Sequence, residues 1–160
     1  MINDILALIG LTLLPLLELR GSIPYGIFKT ELNWVLVFVI CVVVNIIVIP
    51  ITFFILDYLN KYLIKIKIYK RIIERSINKG KKSIESRIGT KWEFAALMLF
   101  VGVPLPMTGA YSGTLLAWFF KLDRKKSYLA ISLGVLIAGI IVAAISLTGA
   151  EVFKIFIKLT

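Results

Sequence analysis

The sequence predicts an all-α integral membrane protein: two re-entrant helical hairpins and two full transmembrane helices in an inverted repeat, joined by a basic amphipathic cytoplasmic helix. Three observations predict it. The 160 residues are 59% hydrophobic and only 18% charged, with a mean hydropathy of +0.95, where a soluble domain is roughly 45–50% apolar and about 25% charged. Two apolar runs, 33–56 and 127–148, reach the ~20 residues that a helix needs to cross a bilayer. Two others, interrupted by proline and glycine, do not. Residues 1–160 are read as a single membrane domain. Its first repeat is 1–56 (hairpin 4–28, span 33–56), its connector 57–92, and its second repeat 93–150 (hairpin 93–120, span 127–148).

Residues 5–17, ILALIGLTLLPLL, form a short apolar arm in which Pro15 bends or ends a helix, having no N–H and clashing with the preceding turn. The stretch ELRGSIPYG, 18–26, places an acid, an arginine, two glycines and a proline inside apolar sequence. It reads as the tip of the first hairpin. The span 33–56 follows, with Trp34 and Tyr58 at its ends, where amphipathic rings prefer the headgroup level. Inside it lie Asn45, Pro50 and Thr52. Residues 57–92 are basic, and Ile64, Ile68, Ile72 and Ile73 recur near helical spacing, as in an interfacial helix facing anionic lipid headgroups over 61–91. The second half repeats this order: a short arm 93–106, the turn PLPMTGAYSG at 104–113, an arm to Phe120, a basic cluster at 121–126, and a long span.

The net charge of +10 would suggest nucleic acid in a soluble protein. Here it is concentrated between apolar segments, so membrane topology accounts for it and no nucleic-acid partner is expected. The positive-inside rule puts both basic blocks, 61–91 and 121–126, on the cytoplasmic side. The region between them is too short for two crossings, and one crossing would separate the blocks. A re-entrant hairpin satisfies both constraints. Each half then crosses once, the halves are inverted, and the termini lie outside. A multi-pass protein of the plasma membrane follows, with a homodimer as the expected oligomer. Small residues every four positions, Gly109, Gly113, Ala117 and Ala130, Gly134, Ala138, suit close helix packing in lipid.

The chain has no histidine and a single cysteine, Cys41. That removes internal disulfides, multi-thiolate or histidine metal sites and the commonest general base. No phosphate-binding loop pattern is present. Neither an enzyme nor a cofactor or metal is expected. The candidate substrate-binding residues are Glu18, Arg20, Gly21 and Ser22 on the first tip and Thr108, Tyr111 and Ser112 on the second. A charge at mid-bilayer costs about 2.5–3.5 kcal/mol on insertion scales, so it normally faces a cavity or a partner. Glu18 is the candidate proton carrier, and the planar fork of Arg20 suits phosphate or carboxylate. Pro24, Gly26, Pro104, Pro106, Gly109 and Gly113 are the expected hairpin framework.

ELRGSIPYGI at 18–27 together with PLPMTGAYSGTLLA at 104–117 resembles the small multidrug export protein family, itself similar in plan to the DedA (VTT-domain) superfamily of membrane proteins. The resemblance covers nearly the whole chain. It implies two re-entrant hairpins in inverted repeat and, for DedA relatives, translocation of lipid phosphates such as undecaprenyl phosphate by an intramembrane acid and arginines. Glu18 and Arg20 match the acid and arginine of the first hairpin; Pro106, Thr108, Gly109 and Gly113 match the Pro/Gly framework of the second. The chain departs from DedA proteins in having no charged residue at the second tip. The leading functional expectation is a secondary transporter or flippase of an anionic amphiphile, a polyprenyl-phosphate carrier lipid, with proton coupling through Glu18. The alternatives are a proton-coupled exporter of small lipophilic drugs and a non-transporting membrane scaffold acting through the basic surface.

Overall fold

The structure, a computed structural model, describes residues 1–63, 91–105 and 108–158, with side chains for 1–61, 93–105 and 108–149. These residues form six helices and no strand: α1 (Ile2–Leu13), α2 (Glu18–Lys29), α3 (Trp34–Leu63), α4 (Lys91–Gly102), α5 (Ala110–Phe119) and α6 (Arg124–Lys158). Two of them, over Trp34–Lys61 and Arg124–Gly149, are long and apolar enough to cross a membrane. Only 33% and 50% of their apolar windows are buried. Their outer faces therefore leave large side chains such as Val43, Ile47, Phe54, Leu133 and Ile140 uncovered. A soluble fold would bury such faces; a lipid-facing surface does not need to.

Local chemistry sets the helix ends. Leu14, which precedes Pro15, is extended at φ −75° and ψ 123°, and α1 stops there. Asn33 caps α3 through a 2.8 Å bond from the Val35 N–H to its side chain. Asp123 caps α6 likewise, accepting from the Lys126 N–H at 2.9 Å. The α5 terminus is a Schellman turn. The Leu122 N–H reaches the Ala117 carbonyl and the Lys121 N–H the Trp118 carbonyl, at 3.0 and 3.1 Å, with Lys121 in the left-handed region at φ 54°.

α3 and α6 run antiparallel. Gly139 lies against Phe38 and Val42 near one end, and Arg124 meets Asp57 near the other. α4 crosses α6 so closely that a Cβ on Gly134 would come 2.7 Å from the Met98 carbonyl oxygen. The small residues Ala130, Gly134 and Ala138 are buried along that seam, as close backbone approach in lipid requires. The core is continuous through Leu8, Ile23, Val37, Ile49, Val101 and Ile131, drawn from both halves of the chain.

Two sequence expectations change. The first turn is at 14–17, ahead of ELRGSIPYG; Gly21, Pro24 and Gly26 lie inside α2, which runs through them unbroken. Pro24 removes only the bond to the Arg20 carbonyl, and neighbouring helices and side chains tolerate such a loss in a membrane setting. Gly26 serves packing instead: a Cβ there would collide with Val37 of α3. Second, the connector expected from residue 57 begins inside α3, which continues to Leu63. The rest of that connector, 64–90, and Pro106 of the second turn lie outside the described residues.

Candidate functional site

The first residues of α2 meet the turn that leads into α5. Glu18 is 4% exposed, and its carboxylate accepts the backbone N–H groups of Ala110 and Tyr111, each at 3.3 Å. These are among the first donors of α5, which no intrahelical carbonyl can satisfy. A carboxylate at a helix N-terminus also meets the positive end of the helix dipole. Gly109, the α5 cap, makes the approach possible, because a Cβ there would overlap the Glu18 carboxylate. Glu18 thus caps a helix in the other half of the sequence.

Arg20 reaches the same turn. Its Nη2 donates to the Thr108 hydroxyl at 2.8 Å, and its Nη1 to the Leu105 carbonyl. The Thr108 hydroxyl has one proton to give, toward the Val103 or Leu105 carbonyl at 2.8 and 2.9 Å. Tyr111 returns the connection by donating to the Leu13 carbonyl at the end of α1, at 2.7 Å. Three side chains therefore join residues 13–20 to residues 105–111. The gap among Glu18, Arg20, Val101, Gly109, Val135 and Ala138 has no room for a water-sized group, where a ligand pocket has roughly 300–1,000 Å³. Val135 and Ala138 stand near the middle of the Arg124–Gly149 apolar stretch.

Glu18 is held in an unusual backbone state. Its φ of 45° is in the left-handed region, where a non-glycine residue costs on the order of 1–2 kcal/mol. The turn supports it through the Glu18 N–H bond to the Leu14 carbonyl, 2.9 Å. A hydroxyl pair supports its carbonyl: Ser22 donates to Glu18 O at 2.8 Å, and the Thr12 hydroxyl, 2.7 Å from Ser22, has one proton to give, toward Ser22 or the Leu8 carbonyl at 2.7 Å. Such strain at a buried acid persists only when the surroundings over-determine it, and it clusters at functional sites.

The remaining predicted residues divide. Ser22 faces α1, buried in that pair and away from the second half. Gly21 packs against Leu17. Ser112 donates to the Gly109 carbonyl at 3.2 Å and serves the first turn of α5. Gly113 lets Val101 come within 2.5 Å of where a Cβ would stand. Pro104 follows the end of α4, consistent with a chain that cannot continue a helix there.

Sequence reasoning missed a second junction. Asp57 on α3 accepts from Trp118 Nε1 of α5 at 3.0 Å and pairs with Arg124 of α6 at 2.9 Å. The Arg124 guanidinium also lies 5.6 Å from the centre of the Phe53 ring. The signal that could have found it was a lone acid ending the first long apolar run and an arginine opening the second.

These features define an all-helical membrane protein whose two halves are tied together around a buried acid and an arginine. The chain belongs to the family described as "Putative small multi-drug export protein", whose sequence model matches residues 18–141. The match begins at Glu18 itself and takes in Arg20, Thr108, Tyr111 and all of the Asp57–Trp118–Arg124 junction. No curated protein and no solved structure matches the chain. The family's description points to a transport protein of the export type.

Proposed function

We propose that the protein is a secondary exporter of small lipophilic compounds, gated by the contact of Glu18 with the start of α5. One observation carries this reading: a buried, backbone-strained carboxylate caps a helix of the opposite half. Ionised Glu18 holds α5 through charge and two long hydrogen bonds. A proton on it removes the charge that the helix terminus attracts, and the junction loosens. Arg20 and Tyr111 would then part from residues 105–108 and from Leu13, opening a path that is closed in the present conformation.

In this reading α1–α2 and α4–α5 are re-entrant pairs of an inverted repeat, a plan similar to that of DedA proteins. Their lengths support it. A helix of 12 residues is about 18 Å long, against a hydrocarbon core of about 30 Å. The basic residues at 121–126 would be cytoplasmic in the plasma membrane and the termini outside. Cysteines placed singly at 4, 30, 90 and 124 in a Cys41→Ser background test this. Positions 4 and 30 should label from one face, and 90 and 124 from the other; labelling of 90 and 124 from opposite faces rules out the second re-entrant pair.

Flux of a lipophilic fluorescent dye in proteoliposomes under an imposed pH gradient tests the gate. Wild type should move dye in proportion to the gradient, and Glu18→Gln should lose that dependence. A gradient response in Glu18→Gln equal to wild type would sink the proposal.

A second reading, translocation of a polyprenyl-phosphate carrier lipid, has its own supporting observation: Arg20 Nε is buried without a hydrogen-bond partner, beside a helix start that attracts anions. The phosphate would have to replace the Glu18 carboxylate. Competition of dye flux by polyprenyl phosphate, abolished in Arg20→Ala, would select this reading; no competition would dismiss it.

A further inference from the structure

Away from the Glu18 junction, a groove of about 450 Å³ opens between the last apolar turns of α3 and the first turns of α6. Phe53, Phe54 and Leu129 wall it, and Asp57, Arg124 and Lys125 stand at its mouth. The volume is that of a site for a sizeable organic group. The chemistry is amphiphilic, with hydrocarbon walls along one axis and charge at one end. Asp57 is already engaged by Arg124 and Trp118, so Lys125 leaves the mouth positive, and of the exposed charges close by in sequence two are basic, Lys121 and Lys126, and one acidic, Asp123, which caps α6. Phe54 is 71% and Leu129 56% exposed, and both lie on the lipid-facing sides of the two long helices. The groove is thus open sideways to hydrocarbon, with its basic mouth where the apolar sequence ends.

We propose that this groove holds one anionic phospholipid of the surrounding bilayer, its headgroup on Arg124 and Lys125 and an acyl chain along Phe53, Phe54 and Leu129. Charge complementarity selects this occupant. A second copy of the chain would bring the same basic cluster, and a neutral compound would leave the mouth unmatched. The site is separate from the Glu18 gate and holds whether or not that gate is correct. It makes the lipid a structural ligand at the seam between the halves, next to the Asp57–Arg124 tie.

Native mass spectrometry of the full chain tests this with phosphatidylglycerol and phosphatidylcholine of matched acyl chains. Wild type should retain phosphatidylglycerol in preference. Lys125→Gln should weaken that retention about fivefold, the factor equivalent to ~1 kcal/mol per basic residue near an anionic surface. Leu129→Trp, which fills the groove at an exposed position and leaves every charge in place, should remove one retained lipid. Lys29→Gln, at the end of α2, should change nothing. Equal retention of the two lipids by wild type overturns the proposal, as does wild-type retention in both groove variants. Displacement of phosphatidylglycerol by inorganic phosphate also overturns it, since the acyl chain would then contribute nothing.

Discussion

The molecule ties its two halves together twice, each time with one acid and one arginine, and the two ties differ in almost every other respect. At the middle of the apolar span, Glu18 and Arg20 both come from the first half and reach backbone groups and a hydroxyl of the second. At the end of the span, Asp57 from the first half meets Arg124 from the second directly. Glu18 is almost fully buried, whereas the side chains of Asp57 and Arg124 are 41% and 63% exposed. Exposed ion pairs contribute about 0–1 kcal/mol. A buried charge must recover a desolvation penalty of several kcal/mol, and replacing it with apolar residues is often neutral or stabilising. The outer tie needs no explanation beyond fixing helix ends. The inner one, strained and buried, points to a role that stability does not supply.

The two ties should separate most widely at Arg20. Arg20→Leu removes the bonds to the Thr108 hydroxyl and the Leu105 carbonyl together with the positive charge near Glu18, and hydrogen bonds to charged groups are worth about 1.5–3 kcal/mol each. Thermal unfolding in detergent should show a larger fall in Tm for Arg20→Leu than for Gly109→Ala or Asp57→Asn; a fall no greater than that of Asp57→Asn would erase the distinction between the ties. Gly109→Ala comes next, since its new Cβ occupies the place of the Glu18 carboxylate. It should destabilise by about 2 kcal/mol, and most of that loss should vanish in a Glu18→Ala background, because coupled neighbours show interaction energies of about 0.5–3 kcal/mol. An additive double mutant would mean that the two residues do not compete for space. Asp57→Asn should cost about 1 kcal/mol or less, since the amide oxygen can still accept from Trp118. The smallest effect is a gain. Lys121→Gly relieves a left-handed residue worth roughly 1–2 kcal/mol against about 0.4–1 kcal/mol of added chain entropy, and should raise Tm slightly.

Much of the architecture was legible because hydropathy and length state it directly. The two long helices, the short helices around them, and the end of α4 at Gly102 all lie in or beside apolar runs whose limits are set by charge and proline. The exact turn of the first half was not legible. Gly21, Pro24 and Gly26 look like a break, yet α2 runs through them, and one proline, Pro15, suffices to turn the chain at 14–17. Glycine in a membrane helix is ambiguous for a physical reason: the missing side chain that permits a turn equally permits a neighbour such as Val37 to come close. Glu18, Arg20, Thr108 and Tyr111 could be picked out as intramembrane polar groups. That they would meet one another was an inference from segment order. What sequence could not supply was the choice of partner. Nothing in ELRGSIPYG says that its acid caps a helix starting at residue 110, or that Thr12 and Ser22 hold the Glu18 carbonyl, because those contacts depend on packing between distant segments. The Asp57–Trp118–Arg124 tie was hidden for the same reason, and it arises because the Schellman turn at Lys121 and the Asp123 cap bring Trp118 and Arg124 to one side.

The claim that the Glu18 junction opens during transport is tested most directly at Thr108. With Thr108→Cys in a Cys41→Ser background, reaction with a membrane-impermeant thiol reagent is followed in proteoliposomes, with and without a pH gradient and lipophilic dye. Position 108 should be protected at rest and should become reactive from one face only when dye and gradient are both present. Equal labelling at rest and during turnover would contradict a gate at this junction.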